Sequence, residues 1–229
     1  MSRTNNRLAD KWFGKLKKAW RCLRQQRDWR PASINLIIRE YYWEKRLGIT
    51  TNAPCVIREQ LGLHNDGARY QPTPYNILER AFDYLRPAPD DVFIDLGCGQ
   101  GRAVFVAATR RFKKVIGVEI NQELLAIAKR NLDKLKLNVA PIEIVGADAA
   151  AFDLSAGTVF FMFNPFGPRT LVRVLDNLKK TLMTHSRKVR VVYYSAAQRA
   201  LLDSQAWLVA EGEIDATEIF VWHNGNGPW

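Results

Sequence analysis

The sequence predicts an α/β fold, doubly wound around a mostly parallel sheet, and three observations carry that prediction. First, short stretches of the apolar kind required by strands buried on both faces stand at Val92–Ile94, 114–120, 142–148, 158–163 and 190–194, with stretches of helical spacing between them. Second, the earliest of these strands runs directly into Asp95-Leu-Gly-Cys-Gly-Gln-Gly101 and then into Arg102-Ala-Val-Phe-Val-Ala-Ala, giving strand, tight glycine turn and helix in succession. Third, the first three strands all close on an acid: Asp95, Glu119 and Asp148.

The elements follow in chain order. Residues 7–24 read as a candidate basic amphipathic helix, with Leu8, Trp12, Leu16, Ala19, Trp20 and Leu23 at spacings of three and four. Arg7, Lys11, Lys15, Lys18 and Arg21 fall largely off that stripe. The stripe either docks on the rest of the chain or leaves the helix to meet an anionic partner, a nucleic acid or a membrane surface. After Arg30-Pro31, Ser33 reads as the N-cap of a second helix running from Ile34 to about Leu47 and closed by Gly48. A short helical piece around 55–61 and a polar, glycine-containing loop at 62–69 lead to Tyr70-Gln-Pro-Thr-Pro-Tyr75. There Thr73 is a suitable N-cap and Pro74 a suitable first helical residue, and Tyr75, Leu78, Ala81, Phe82 and Leu85 make a helical stripe that Pro87 and Pro89 end.

Asn121 is placed to cap the helix after the second strand, with Leu124, Leu125, Ile127, Ala128 and Leu132 facing inward. The fourth strand runs into Asn164-Pro-Phe-Gly167; a helix over 171–182 and the strand at 190–194 follow. The segments 207–210 and 218–222 form a closing antiparallel pair, bringing the strand count to seven. The domain division expected is a basic helical extension, 1–69, and a catalytic domain, 70–229.

The chemistry begins at the glycine turn. Glycines permit positive φ and let a ligand approach the backbone. Gly97, Gly99 and Gly101 read G-x-G-x-G rather than the dinucleotide spacing G-x-G-x-x-G, which disfavours a nicotinamide-dependent oxidoreductase. Asp95, two residues ahead of Gly97, would repel a pyrophosphate and attract an ammonium. S-Adenosylmethionine carries an α-ammonium and a sulfonium and no phosphate. A carboxylate at Glu119, near the carboxyl end of its strand, can accept both hydroxyls of a ribose. At Asn164-Pro165, two carbonyl oxygens can accept from an –NH₂ and aim its lone pair, while proline offers no competing N–H. Phe166 can lie against a planar or alkylammonium group.

D-x-G-x-G-x-G followed by a second strand ending in an acid resembles the cofactor motif of class I S-adenosylmethionine-dependent methyltransferases, over roughly residues 70–223. The resemblance implies a seven-stranded sheet with an antiparallel end pair and S-adenosylmethionine as cofactor. It implies a cofactor pocket built from Asp95, Gly97, Gly99, Gly101, Glu119 with Ile120, and Asp148 with Ala149, where Asp148 meets the adenine amino group. Tyr70 and Thr73 would belong to a segment that folds over the methionine end, as in the non-SET protein-lysine methyltransferases that look similar; otherwise 70–75 is only a rigid start to its helix. Asn164, Pro165 and Phe166 would form the catalytic stretch. It is similar to the Asn-Pro-Pro-Tyr/Phe hallmark of amine-directed enzymes but departs from it, with Phe166 at the second proline's position and Gly167 at the aromatic's. The expected activity is N-methylation of a protein amine such as lysine, ahead of a nucleic-acid or small-molecule amine; the competing class is a non-catalytic nucleotide-binding module.

Composition is consistent with this. In 229 residues the net charge is +11, and residues 1–50 hold 13 Lys+Arg against 4 Asp+Glu, so the basic character belongs to the amino-terminal segment. Three cysteines (Cys22, Cys55, Cys98) are too few and scattered for a disulfide framework or zinc site, which favours a cytoplasmic setting. His64, His185 and His223 stand at no metal-ligand spacing, so no metal is expected. No apolar run reaches the length of a membrane span, and the amino terminus lacks the apolar core of a secretory signal.

Overall fold

A computed structural model describes residues 31–51, 70–137 and 139–225. The basic helix expected over 7–24, the helical piece at 55–61, the loop 62–69 and His64 lie outside the described residues. The chain divides into two units, Met1–Trp43 and Glu44–Trp229. Helix α1 spans Pro31–Leu47, so it begins before Ser33, with proline at the position where a missing N–H is harmless. Gly48, at φ +76°, closes it as expected, donating its N–H to the Glu44 carbonyl at 2.9 Å.

The second unit alternates helix and strand: α2 (Tyr75–Leu85), β1 (Val92–Leu96), α3 (Arg102–Ala108), β2 (Lys114–Glu119), α4 (Gln122–Lys134), β3 (Ile142–Gly146), β4 (Val159–Met162), α5 (Pro168–Thr184), β5 (Arg190–Tyr194), α6 (Arg199–Asp203), β6 (Leu208–Glu213) and β7 (Ile219–Asn224). The seven strands among the described residues join one sheet in the order β3-β2-β1-β4-β5-β7-β6. β1 through β5 pair in parallel; β7 runs antiparallel to both β5 and β6, between them. The order reverses direction at β1, whose neighbours are β2 on one side and β4 on the other, and such a switch point opens a crevice at the carboxyl ends of the strands.

Sequence explains both layers over this sheet. β1 and β4 are buried along their whole length, so their residues serve two faces at once. On one face Phe93 meets Phe82, Phe112 and Phe161 with ring centroids 5.5, 5.3 and 6.2 Å apart, fixing α2 to the sheet. On the other, Leu171, Val174, Leu175, Leu178 and Leu182 of α5 join Ile94, Phe160, Trp207 and Trp222 in one apolar cluster.

Several boundaries differ from those expected. α2 starts one residue later than expected: Pro74, not Thr73, is its N-cap, extended at ψ 140°, with no side-chain cap bond. β2, β3 and β4 end at Glu119, Gly146 and Met162, short of Ile120, Asp148 and Phe163, because the chain turns away into the crevice loops there. Asp148 sits in a turn, its Oδ1 accepting from the Ala150 N–H at 2.9 Å. α5 is longer at both ends than expected, and the β6–β7 pair is longer too. A register shift between Ala210 and Gly212, with Gly212 at φ +111°, lets β6 continue past the alternating exposed acids that obscure it in the sequence.

Candidate active site

The site is built where the ends of β1, β2 and β4 meet. The register sets Leu96 beside Val118 and Glu119 beside Gly146. The N–H groups of Gly97 and Cys98 both donate to the Val118 carbonyl, at 2.9 and 3.0 Å, which folds the glycine turn back over the end of β2. Glu119 completes the closure: Oε2 accepts from the Gly99 N–H and Oε1 from the Asn121 N–H, both at 2.8 Å. Asn121 in turn caps α4 as expected, its Oδ1 accepting from Glu123 and Leu124.

Two of the glycines make contacts that no other residue could allow. A Cβ at Gly97 (φ +85°) would stand 2.3 Å from the Pro165 Cβ, and one at Gly99 (φ +55°) would stand 2.3 Å from the Tyr70 ring. The turn is therefore touched on one side by the Asn164-Pro165 stretch and on the other by the segment that opens α2. Gly101, at φ +90°, serves its own helix instead: its carbonyl receives the Phe105 N–H and that ring covers it.

Electrostatically the site is acidic and dry. Asp95 is 4% exposed and Glu119 7%. Burial pushes the Asp95 carboxyl well above its ordinary value, and the neighbouring Glu119 adds to this. Burial also raises Glu119, against the lowering by the N–H groups of Asn121, Gly99 and Ile120. The Cys98 thiol is raised by burial and then by both carboxylates. Among the described residues no cationic side chain forms an ion pair with Asp95 or Glu119. A buried acid pair of this kind suits a cationic, hydroxyl-bearing ligand, and it does not suit a phosphate.

The Asn164 loop is held from β5. Asn164 lies at φ +41° and Ser195, after β5, at φ +49°. The two are tied together: Asn164 Nδ2 donates to the Ser195 carbonyl at 2.5 Å, and Asn164 Oδ1 accepts from Tyr193 Oη at 2.7 Å and from the Ala197 N–H at 3.2 Å. The side-chain oxygen expected to meet a substrate amine thus already serves two donors within the protein. Phe166 is half-buried against the α5-side cluster.

The remaining predicted positions lie as follows. Tyr70 stands against Gly99, and Thr73, 6% exposed, gives its carbonyl to Arg102 Nη1. Ile120 is 52% exposed, and Ala149 belongs to the apolar cluster. Asp148 has its Oδ2 3.3 Å from the Arg173 guanidinium. Sequence reasoning passed over Arg102, Thr51, Asn131 and Tyr193. Arg102 carries the strongest signal for its burial, as the one charged residue of an otherwise apolar helix, Arg102-Ala-Val-Phe-Val-Ala-Ala. Among the described residues no group of three His, Cys, Asp or Glu side chains could hold a metal.

Residues 87–191 match the family model described as a methyltransferase domain. A protein-lysine N-methyltransferase from Saccharolobus islandicus (strain REY15A) is 31% identical over 150 residues, which cover 65% of this chain and 89% of that protein. A histone-lysine N-methyltransferase, H3 lysine-79 specific, from Dictyostelium discoideum is 37% identical over 105 residues, 40% of this chain but only 6% of that much longer protein. Among solved structures, an RNA methyltransferase from Salinibacter ruber in complex with S-adenosyl-L-homocysteine aligns with a TM-score of 0.46 and 22% identity, over 67% of this chain and 92% of that one. The chain belongs to the class I S-adenosylmethionine-dependent methyltransferases. It is a methyltransferase whose methyl donor is S-adenosylmethionine, and the buried acid pair at the glycine turn fits that cationic donor.

Proposed function

We propose that the protein N-methylates an amino group of a protein substrate, most directly a lysine side chain. The observation that carries this reading is the contact of Gly97 with Pro165, which joins the acid-lined glycine turn to the Asn164 loop. It is supported by the lysine specificity named for two relatives, one of which the chain covers almost completely.

When bound, S-adenosylmethionine supplies an electrophilic methyl group. In this reading Asp95 faces its ammonium, Glu119 its ribose hydroxyls, and the backbone of Gly97 and Gly99 its closest approach, with Tyr70 and Thr73 along the other wall. Asp148 and the neighbouring Ala149 and Ile120 are assigned to the adenine end. The task left to the chain is alignment of a neutral amine in a water-poor site, which needs little acid–base machinery. Carbonyl oxygens of the Asn164-Pro165 stretch accept from the amine N–H groups and turn its lone pair toward the methyl. Because Asn164 Oδ1 already accepts from Tyr193 and Ala197, the main-chain carbonyls carry more of this task, and the side chain braces the turn that presents them. Phe166 borders the same stretch. The division proposed for the chain is a basic extension within 1–69, offering charge to an anionic surface on the partner, and a catalytic domain over 70–229 that also takes in Glu44 and Thr51, which bond to its Arg102 and Tyr70.

Calorimetry with S-adenosylhomocysteine and with NAD tests the site. Saturable binding of the former alone is expected; binding of NAD alone would overturn the assignment.

A further inference from the structure

Arg102 is 3% exposed, and what it holds goes beyond its own helix. Its Nε donates to Thr51 Oγ1 at 2.8 Å and its Nη1 to the Thr73 carbonyl at 3.1 Å. Nη2 lies 3.9 Å from Glu44 Oε1, and the guanidinium carbon sits 4.3 Å from the centre of the Tyr75 ring. Thr51 is the hub on the other side. Its N–H and hydroxyl both approach Glu44 Oε1, at 2.8 and 3.3 Å, and its carbonyl accepts the Tyr70 hydroxyl at 2.9 Å. One guanidinium therefore fixes both the anchor of the Tyr70 hydroxyl and the backbone three residues beyond Tyr70. The Tyr70 ring, held between them, occupies the space above Gly99. Asn131 of α4 braces the same strip, accepting from the Thr50 N–H at 3.3 Å and donating to the carbonyls of Thr50 and Gln100, both at 3.1 Å.

We infer that Arg102 is a positioning residue for the methyl-donor site, setting Tyr70 against the glycine turn through Thr51 and Thr73. A buried guanidinium that bonds two separate strips suits such a task, because its donors project in fixed directions from one plane and it keeps its charge at every working pH. The inference rests on the reading that Tyr70 and Gly99 border the donor, and its consequence is selective. Loosening the network moves a wall of the donor site and leaves the Asn164 loop, held from β5, where it is.

The test uses the full chain with Thr51→Val, Thr51→Ser and Arg102→Lys, reading the Kd for S-adenosylhomocysteine, the KM of donor and acceptor, kcat, and the ligand-free Tm. Valine keeps the shape of Thr51 and loses the oxygen that Arg102 Nε meets; serine keeps that oxygen. Thr51→Val is expected to raise the Kd and the donor KM about tenfold, with acceptor KM unchanged and Thr51→Ser close to wild type. Should Thr51→Val fail to fold, Arg102→Lys carries the test, since one ammonium cannot reproduce the fork; a raised donor KM with retained kcat is expected. Equal donor binding by wild type, Thr51→Val and Arg102→Lys overturns the inference, as does a loss of acceptor and donor affinity in proportion to Tm. A wild-type protein that does not bind S-adenosylhomocysteine at all overturns the underlying reading as well, so the two failures are told apart.

Discussion

Gly99 and Asp95 show how little room single residues have at the turn. A methyl group on Gly99 would need to displace the Tyr70 ring from 2.3 Å while the backbone holds φ +55°. Gly99→Ala is expected to fold yet to raise the Kd for S-adenosylhomocysteine at least tenfold, about 1.4 kcal/mol, in calorimetry. Unchanged affinity would mean that Tyr70 does not border the donor. At Asp95 the sign of a pH effect can be worked out. A carboxyl raised well above 3.8 by burial and by Glu119 binds its proton more tightly in the folded chain than in the unfolded one. Its contribution to stability is therefore full below 3.8 and is lost as the pH climbs from there through the raised value. Asp95→Asn, neutral throughout, is expected to melt above the ligand-free wild type at neutral pH, with the gap closing on acidification. The same variant should bind S-adenosylhomocysteine more weakly at neutral pH. Thermal melts of both proteins across a pH series check the first outcome, and a gap independent of pH would contradict it.

The loops after β4 and β5 act as one element. Asn164 and Ser195, both left-handed, are bonded to each other, and Tyr193 reaches across from β5 to hold the Asn164 amide. Asn164→Ala removes that bracket and leaves alanine at a φ it tolerates poorly, so kcat should fall roughly 10- to 100-fold while the Kd for S-adenosylhomocysteine stays nearly constant. Asn164→Gly accommodates the backbone and should retain more turnover than the alanine variant. Tyr193→Phe loses a single hydrogen bond, about 1 kcal/mol, for roughly a fivefold fall in kcat. Single-turnover rates alongside calorimetry separate these effects, and equal losses in kcat and donor affinity would make Asn164 part of the donor pocket instead. The element was legible in part. Asn-Pro after an apolar strand marked the turn, but Tyr193 in Arg190-Val-Val-Tyr-Tyr194 reads as one more strand aromatic. Only the parallel pairing of β4 with β5, which sets Met162 beside Tyr193, shows that its hydroxyl arrives at Asn164. The Arg102–Thr51 network escaped for the same reason, since its partners are 51 residues apart in sequence. By contrast, Asp95, Glu119 and the glycines lie at strand ends, where local pattern alone fixes their place. Boundaries slipped where loops leave the sheet, as at Asp148, because an apolar residue followed by a turn reads like two more residues of strand.

The switch point beside β1 emerges only from the strand order, but at the scale of the molecule the strand count and the mostly parallel pairing were readable from apolar runs alternating with helical stripes. The place of β7 between β5 and β6 was less so, because sequence order gives no sign that the last strand is inserted inside the preceding one. Charge divides the chain as well. Residues 1–50 carry a net +9 against +2 in the rest. Among the described residues no helix is long and apolar enough to cross a membrane. The central claim, that the methyl acceptor is a protein amine, is tested most directly by incubating the protein with methyl-labelled S-adenosylmethionine and a cell extract, splitting the product between protease and nuclease, and hydrolysing the labelled fraction for amino-acid analysis. The account predicts label that protease releases and nuclease does not, recovered as N-methylated lysine. Label that survives protease and is released by nuclease would contradict it.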